Sequence, residues 1–368
     1  MQVGVMQVGV NFWQAMWLGA HDPDRLRREL DLLAGAGLRT LRIMACGEGP
    51  DGAPARVAPA LSPRPGVYDE AVLAGLGTAL DEIAGRGMGA IVCLTNFWTW
   101  SGGLAQYRAW AGAGAIPDGV EVEPFTAGFY RDAAARALFD AHVGTIVERH
   151  RGHPAVTVWE ICNEPRGKHD PDGMRAFLVE TAERIRAIDA GARVASGSEG
   201  STATPAIAGL DFAADHAHPA LDVTTCHLWP QNWGVWDPAE DDDARFDAMV
   251  EWSRAYLRRH AEEATALGKP LWLEELGLAR DGGSYAADAT TARRDRFFDA
   301  MCDEAAGLEA EGASVAGLLV WVWSGEGGAR AGDPPHEPPG WYGIASRDVS
   351  TLAVLSRHAR VGAASDRG

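Results

Sequence analysis

The sequence predicts an α/β protein with a single (β/α)8 barrel, the TIM-barrel fold, and three observations support this. Short apolar segments alternate with longer amphipathic segments through most of the 368 residues. They make up eight strand–helix units, with no shift in composition between them. The strands are nearly continuous apolar runs, as expected for parallel strands covered on both faces. We predict one domain over 1–368, with its core at about 7–362 and a short extension at 1–6.

The predicted elements follow one another in strict alternation. The helices carry apolar residues three or four positions apart, as at Leu26, Leu30 and Leu33. The predicted strands are 8–11, 40–44, 90–95, 156–161, 193–196, 223–227, 271–275 and 317–321. The predicted helices are 23–36, 69–86, 131–150, 172–187, 241–267, 291–311 and 351–360, with a shorter turn near 206–213.

Glycine and proline cluster at 47–66, 111–124 and 325–340, after the second, third and eighth strands. In a barrel these loops lie at the C-terminal ends of the strands, where substrate walls are built. Neither GxGxxG nor GxxxxGK[ST] occurs at a strand end, so nucleotide binding is unsupported. We therefore expect the active face at this rim and no cofactor.

The charge of the chain restricts its partners. The formal net charge is −18, from 51 acidic residues against 33 lysines and arginines. Such a surface repels phosphate backbones and anionic lipids, so we expect no nucleic-acid or membrane partner. A neutral glycan is compatible with this charge. The oligomeric state cannot be derived from the sequence.

The five cysteines are odd in number and widely spaced, which predicts neither a disulfide framework nor a zinc knuckle. No basic segment followed by a long apolar one begins the chain, and no apolar run approaches the ~20 residues of a membrane span. These features predict a cytoplasmic protein, or a secreted one if the true N-terminus is missing. Residues 1–5 are repeated at 6–10, which we interpret as a cloning remnant or an ambiguous start.

Two glutamates follow strands in a way that indicates paired-carboxylate chemistry on a sugar. Glu164 comes directly after the fourth strand, within Trp-Glu-Ile-Cys-Asn-Glu-Pro, and Glu275 ends the seventh. Parallel barrel strands end at a common rim, so the two carboxyls are expected to face one another. Glu274 competes with Glu275, but side chains alternate along a strand, so we expect only one of them to point inward.

Other polar residues fall at the same rim: Arg42, Asn96 and His227. An arginine beside a carboxylate keeps it ionised, and a histidine can orient it or bind a sugar hydroxyl. Arg42 could instead be a salt-bridge residue, Asn96 a turn residue and His227 a hydrogen-bonded core histidine.

Tryptophans are also frequent in these loops, and an indole ring can stack on a pyranose. The loop tryptophans are Trp13, Trp98, Trp100, Trp229, Trp233, Trp236, Trp321, Trp323 and Trp341.

With these residues the chain resembles glycoside hydrolase family 5, and especially its β-mannanase and β-mannosidase subfamily. Asn163-Glu164-Pro165 resembles the acid/base motif, and Glu275-Leu276-Gly277 resembles the nucleophile motif. The stretches that resemble the β-mannanases are 94–98 with 101–103 and 106–110, 227–234, and 332–335. The resemblance covers about Val8 to Thr351, which is nearly the whole chain.

The resemblance implies a role for each matching residue. Glu164 is the implied acid/base and Glu275 the implied nucleophile of a retaining double displacement. Asn163 is implied to hold the 2-hydroxyl of the sugar, and Trp321 to form the sugar platform. Arg42 and His227 are implied to support the nucleophile. No metal or cofactor is implied.

Two departures from the family pattern bear on the substrate. Trp229 stands where many relatives have a tyrosine that bonds the nucleophile. Asn96 stands where the family's cellulases have histidine, which favours mannan or manno-oligosaccharides over cellulose. The implied substrate-binding residues are therefore Arg42, Asn96, Trp98, Asn163, His227, Trp229, Trp321, Trp13 and Trp323.

Several alternatives stay open at this point. Endo and exo action are both compatible with the motifs, and so are mannose, glucose or N-acetylglucosamine as the leaving sugar. The rival functions are a β-glucan hydrolase of the same family, a non-catalytic glycan-binding barrel, and a metal-dependent hydrolase. The last is prompted by His216 and His218, but this pair precedes the sixth strand and Pro219 follows it directly.

Overall fold

The computed structural model describes residues 6–53, 56–286, 288–326 and 341–365. The barrel strands are β1 (Gln7–Asn11), β2 (Thr40–Met44), β3 (Gly89–Cys93), β4 (Val156–Glu160), β5 (Val194–Ala195), β6 (Thr224–Leu228), β7 (Leu271–Leu276) and β8 (Val315–Val320). All neighbours are parallel, in the order β5-β4-β3-β2-β1-β8-β7-β6. A parallel bridge between Ala195 and Val223 joins the two ends, so the barrel is closed.

Helices surround this barrel. They are α1 (Ala15–His21), α2 (Pro23–Gly35), α3 (Glu70–Gly85), α4 (Gly103–Arg108), α5 (Val122–Ala127), α6 (Ala133–His150), α7 (Pro171–Ile188), α8 (Pro205–Ala208), α9 (Phe212–His216), α10 (Asp243–Leu267), α11 (Ala292–Ala310) and α12 (Val349–Ser365). Two short strands, β9 (Trp323–Gly325) and β10 (Ile344–Ala345), pair outside the barrel. In the part of the chain that the structure describes, no helix has the length and apolarity needed to span a membrane.

The barrel fold is confirmed, and the predicted strands agree with the observed ones to within two residues at each end. Aspartates fix the starts of several helices by accepting a backbone N–H. Asp242, in the acidic run 241–243, does so for α10. The short helix α1 was not predicted because seven residues show little periodicity. It packs closely on α3, since a Cβ on Gly19 would lie 2.2 Å from the carbonyl oxygen of Gly75.

The inside of the barrel changes from apolar to charged along the strands. Buried residues of β3, β4, β5, β7 and β8, together with the residue just before β6, form an apolar floor: Ile91, Val158, Ala195, Val223, Trp272 and Leu319. Further along their strands, Arg42 and Glu160 point into the barrel and bond each other. Every second side chain of a strand points into the barrel, so this charged layer lies next to the apolar floor on the side of the C-terminal rim. The apolar floor thus excludes water beneath the functional residues.

The predicted loop cluster at 325–340 and the motif at 332–335 lie largely or wholly outside the described residues, as does the repeat at 1–5.

Candidate active site

A cavity of about 590 Å³ opens where the barrel strands end. Its walls come from the segments that follow β3 to β6, from the end of β7 and from the residue after β8. The described lining residues are Trp98, Thr99, Trp100, Asn163, Glu164, Arg166, Glu199, Ile207, Trp229, Asn232, Trp233, Glu275 and Trp321. Both predicted glutamates are among them.

Glu164 is fixed by its backbone as well as by its side chain. Its φ of 52° lies in the left-handed region, which is unfavourable for a glutamate. Backbone bonds on both sides hold it there: Asn163 N donates to Thr95 O at 2.8 Å, and Glu164 N donates to Gly197 O at 2.9 Å. Such strain is typical of functional positions that their surroundings over-determine.

Glu275 reaches the cavity because β7 contains a bulge. Cys226 pairs with Leu273, but the next residue of β6, His227, pairs with Glu275, so Glu274 is extra. The expectation that only one of the two glutamates points inward is therefore wrong. Glu274 is fully buried, and the groups that act on its carboxyl, Glu160 and Arg42 foremost, belong to the charged layer inside the barrel. Strict alternation fails where a residue is inserted.

Arg42 connects the residues beneath the cavity. Its Nε and Nη2 bond both oxygens of Glu160 at 2.6 Å, and Nη2 also bonds Asn163 Oδ1 at 2.7 Å. Its Nη1 bonds Asn11 Oδ1 at 3.0 Å and, very closely, Oε1 of Glu275. The guanidinium is 4% exposed, and all of its N–H donors are used. One buried cation thus orients Glu275 and Asn163.

His227 lies between the two glutamates. Its Nδ1 is 2.7 Å from Oε1 of Glu164 and 3.3 Å from Oε2 of Glu275. One carboxylate oxygen of each glutamate and this nitrogen all lie within 4.8 Å of one another. Carboxyls roughly 5–5.5 Å apart are typical of retaining glycosidases, whereas inverting enzymes have them roughly 6.5–9.5 Å apart. The site therefore has the spacing of a retaining enzyme.

Comparisons with known proteins agree with this geometry. The family described as GH family 5 β-mannosidase-like matches residues 4–364. This chain belongs to glycoside hydrolase family 5. The putative mannan endo-1,4-β-mannosidase 5 of Oryza sativa subsp. japonica is 28% identical over 326 residues, which cover 82% of this chain and 62% of that protein.

Two further family 5 relatives are similar over most of their length. Mannan endo-1,4-β-mannosidase 3 of Arabidopsis thaliana is 30% identical over 82% of this chain and 73% of its own. The family 5 mannosidase of Rhizomucor miehei, solved as a mutant with mannosyl-fructose, is 31% identical with a TM-score of 0.89. That comparison covers 99% of this chain and 94% of the Rhizomucor chain.

The electrostatics of the family 5 site place one proton between Glu164 and His227. Burial would lower the pKa of His227, but the charges of Glu275 and Glu164 outweigh it and raise that pKa to about 9. Burial would raise the pKa of Glu164, but the hydrogen bond and charge of His227, the charge of Arg166 and the bond from Trp98 together lower that pKa to about 2. Burial raises the pKa of Glu275 despite His227 and Arg42. Near neutral pH this pair therefore holds one proton, which lies on His227.

Trp98 and Asn96 support the glutamates. The indole N–H of Trp98 donates to Oε2 of Glu164, and its ring packs on the guanidinium of Arg166, 4.5 Å from the ring centroid. Asn96 is fully buried, and its Oδ1 accepts from Asn163 Nδ2 at 3.0 Å. Asn96 thus orients Asn163, and its predicted contact with the sugar stays a prediction.

The predicted tryptophans separate into two groups. Trp321 and Trp229 line the cavity, with ring centroids 6.3 Å apart. A Cβ on Gly277 would lie 2.4 Å from the Trp229 ring, so a glycine is needed there. In the described part of the chain the bonds to the Glu275 carboxylate come from Arg42 and His227, in place of the tyrosine of many relatives.

Trp13 and Trp323 are corrections to the predicted substrate contacts. Trp323 is fully buried and its Nε1 donates to Glu29 at 3.0 Å, because β9 turns this side chain into the protein. Trp13 is 8% exposed and packs edge-on against Trp17 and Trp100, behind the cavity wall. Trp236, also among the loop tryptophans, packs against Phe246 and is 5% exposed.

The unpredicted site residues include four that are charged or bond the central arginine. Asn11 and Glu160 hold Arg42 from below, and Arg166 and Glu199 line the cavity and bond each other at 3.0 and 3.1 Å. Burial and the charge of Glu164 raise the pKa of Glu199 to about 8, against the effect of Arg166. The strand-end rule that indicated Glu164 also applied to Glu199, which follows the fifth strand.

The metal alternative fails for the predicted histidine pair. His216 is buried, with Nδ1 bonded to Phe212 O and Nε2 to Ser196 Oγ, both at 2.8 Å. His218 is exposed, so the two rings share no site. Glu164, His227 and Glu275 are close enough to hold a cation, which makes them the candidate to test for metal dependence.

Proposed function

We propose that the protein hydrolyses terminal β-1,4-linked mannosides with retention of configuration, Glu275 acting as nucleophile and Glu164 as acid/base. The spacing of these two carboxylates around His227, at the base of a tryptophan-lined cavity, carries the proposal. The names of the rice, Arabidopsis and Rhizomucor relatives support mannosides as the substrate class.

In the first step, Glu275 attacks the anomeric carbon and the glycosidic C–O bond breaks. Arg42 holds Oε1, which leaves Oε2, on the side of Glu164 and His227, to form the ester bond. Arg42 also keeps the carboxylate ionised until it attacks. The departing oxygen takes a proton from Glu164, so a neutral alcohol leaves and a glycosyl ester remains.

The proton for that step comes from the Glu164–His227 pair. In the free site it lies on His227, whose Nδ1 is 2.7 Å from the oxygen of Glu164 that must receive it. Movement along this bond makes Glu164 the acid and leaves the imidazole neutral. Glu275 loses its negative charge when it forms the ester. That charge is the main factor that raises the pKa of His227, so its loss lowers this pKa and favours transfer of the proton to Glu164.

In the second step, Glu164 acts as the base. The ionised carboxylate takes a proton from a water molecule, whose oxygen attacks the anomeric carbon while the ester bond to Glu275 breaks. The proton then returns to the pair with His227, and both glutamates recover their first state. Two inversions at one carbon give net retention.

Glu164 defines the leaving-group side, because an acid must be next to the oxygen that it protonates. Arg166 and Glu199 lie beyond it, on the segments after β4 and β5, and offer donors and acceptors to sugar hydroxyls. Trp233 lines the same wall. We assign these residues to the leaving sugar, and Trp321 and Asn163 to the mannose that becomes attached.

The opposite end of the cavity supports exo action. Among the described residues, none of those after β1 or β2 lines the cavity. Trp100 closes this side: its ring packs on Trp13 with centroids 5.6 Å apart, and its carbonyl accepts from Val57 N at 2.9 Å. We infer that this wall limits the cavity to one sugar beyond the cleaved bond, and we assign terminal mannose as the sugar removed.

The product profile from mannohexaose tests this assignment. Exo action releases only mannose at early times, whereas endo action gives mixed oligomers. Proton NMR adds the stereochemistry, because retention gives β-mannose first and α-mannose only after mutarotation. Turnover of an aryl β-mannoside without turnover of cellulose or aryl β-glucoside excludes the β-glucan alternative, and no turnover at all would favour a non-catalytic glycan-binding barrel.

Metal dependence is tested in the same assay. Full activity after treatment with EDTA supports proton transfer between Glu164 and His227, whereas loss of activity and its recovery with a divalent cation would make those residues metal ligands.

We also propose a reducing, cytoplasmic location, which is supported by five buried cysteines that are all free.

A further inference from the structure

The tryptophan loop, defined as residues 95–103, carries two walls of the cavity. Trp98 bonds Glu164, and Trp100 closes the end away from the leaving group. This loop follows β3 and includes Thr99–Ser101, a single 3-10 turn. Because the loop holds both the acid/base and the wall, its position affects how the terminal sugar is bound.

Glu48, which plays no part in the catalytic steps, fastens this loop from below. Its Oε2 accepts from Gly103 N at 2.9 Å, and its Oε1 accepts from Thr95 Oγ1 at 3.3 Å. Its own N–H donates to Ser101 O at 2.6 Å. A Cβ on Gly102 would lie 1.9 Å from the carbonyl oxygen of Glu48, so the two backbones are in direct contact.

The carboxyl of Glu48 is almost completely enclosed, with the residue 3% exposed. Burial raises its pKa to about 7, although the bonds from Gly103 and Thr95 act in the opposite direction. Arg56, on the loop after β2, is the cation that faces it, and its Nη1 bonds the backbone oxygen of Glu48 at 3.2 Å. The other titratable groups around it have raised pKa values and stay neutral near pH 7: Cys46, Tyr68, Tyr107 and Cys162.

We propose that Glu48 is a positioning residue that locks the tryptophan loop in its closed position while its carboxyl carries a proton, and loosens the loop when it ionises. This inference rests on the proposed function. The direction of the pH effect follows from thermodynamic linkage. Because enclosure makes the carboxyl harder to ionise, the protonated carboxyl favours the closed loop and the ionised carboxyl favours the open loop. Ionisation favours loop positions in which water reaches Glu48, and these positions lose the Trp100 wall and the bond from Trp98 to Glu164.

The test compares Glu48→Gln with the wild type on an aryl β-mannoside, from about pH 5.5 to about pH 8.5. Glutamine keeps an acceptor for Gly103 N–H and can donate to Thr95, but it cannot ionise. The KM of the wild type is expected to rise several-fold, up to about tenfold, as pH increases across this range. The KM of Glu48→Gln is expected to stay near the low-pH value of the wild type throughout.

Asp215→Asn is the control. Asp215 is 3% exposed, accepts from Asp211 N at 2.9 Å, and has a pKa raised by burial to about 6, but it lies on α9 outside the cavity lining. This control should keep the pH dependence of KM seen in the wild type. Glu48→Ala, which leaves Gly103 and Thr95 without an acceptor, should raise KM at all pH values, and Glu48→Gln should restore it.

The outcomes are distinct. Equal pH dependence of KM in the wild type and Glu48→Gln would overturn the inference, even if Glu48→Ala failed to fold. Absence of turnover in the wild type would instead refute the proposed function. A change in the melting temperature alone, with KM unaffected by pH in both proteins, would leave Glu48 a purely structural residue and also contradict the inference.

Discussion

His227 Nδ1 is 2.7 Å from Oε1 of Glu164, so the buried imidazole and this carboxylate can share a proton. The same nitrogen is 3.3 Å from Oε2 of Glu275, so one buried imidazole serves both carboxylates. The family resemblance implied support of the nucleophile alone. The shorter distance is to Glu164, the proposed acid/base, and in that proposal His227 is its proton partner.

The pH dependence of kcat/KM should be bell-shaped and displaced to neutral or alkaline pH. The proton of the Glu164–His227 pair is present below the His227 pKa of about 9 and lost above it, which sets the basic limb. Glu275 must be ionised, and its raised pKa moves the acidic limb above that of an ordinary carboxyl. Initial rates of Glu48→Gln on an aryl β-mannoside measure both limbs, because this variant lacks the separate rise in KM expected from ionisation of Glu48. A basic limb centred near pH 5 would contradict the shared proton.

Substitution of His227 should move the basic limb and not merely slow the enzyme. In His227→Asn, Glu164 must hold the proton alone, so the limb should shift to lower pH and kcat/KM should fall by about 10²-fold or more. His216→Asn is a suitable control, because His216 is equally buried but its ring bonds Ser196 and Phe212 instead of a glutamate. If the basic limb of His227→Asn were unchanged, Glu164 would hold the proton without help from His227.

The two glutamates should differ in their response to the leaving group. Glu164→Gln removes the acid, so a phenyl mannoside should be cleaved at least about 10³-fold more slowly, whereas a dinitrophenyl mannoside needs little protonation and should still form the ester. Glu275→Gln removes the nucleophile and should be inactive on both. A burst of dinitrophenol from Glu164→Gln, absent from Glu275→Gln, is the expected observation. The reverse pattern would exchange their roles.

The sequence was sufficient for the barrel and for bringing Glu164 and Glu275 to one cavity, because both depend on where buried strands end. Continuous apolar runs placed all eight strands, and Glu164, Glu275, Arg42 and His227 follow from the common rim of parallel strands. Glu199 was available to the same reasoning, but β5 is only two residues long, and its end was less evident in the sequence.

Other features depend on local irregularities that a periodic pattern does not reveal. The bulge in β7 turns both Glu274 and Glu275 inward, against the alternation of side chains. Burial of Trp323 depends on Glu29, 294 positions earlier in the chain. The role of Glu48 depends on a contact between two loops. Each of these is a long-range or inserted contact that the tertiary structure alone determines.

Trp321 and Trp323 both follow β8 and are not distinguished by the sequence. They therefore test whether one lines the cavity for substrate while the other only stabilises the fold. Trp321 lines the cavity, so Trp321→Phe should lower kcat/KM by about tenfold, equivalent to ~1.4 kcal/mol of transition-state binding, with little loss of stability. Trp323→Phe leaves the buried Glu29 without the indole donor and should cost about 1–3 kcal/mol of the free energy of unfolding, with kcat/KM almost unchanged. Urea unfolding and kinetics on both variants measure the two effects. If Trp323→Phe lost kcat/KM while keeping full stability, Trp323 would have to contact the sugar, and the position of β9 would be wrong.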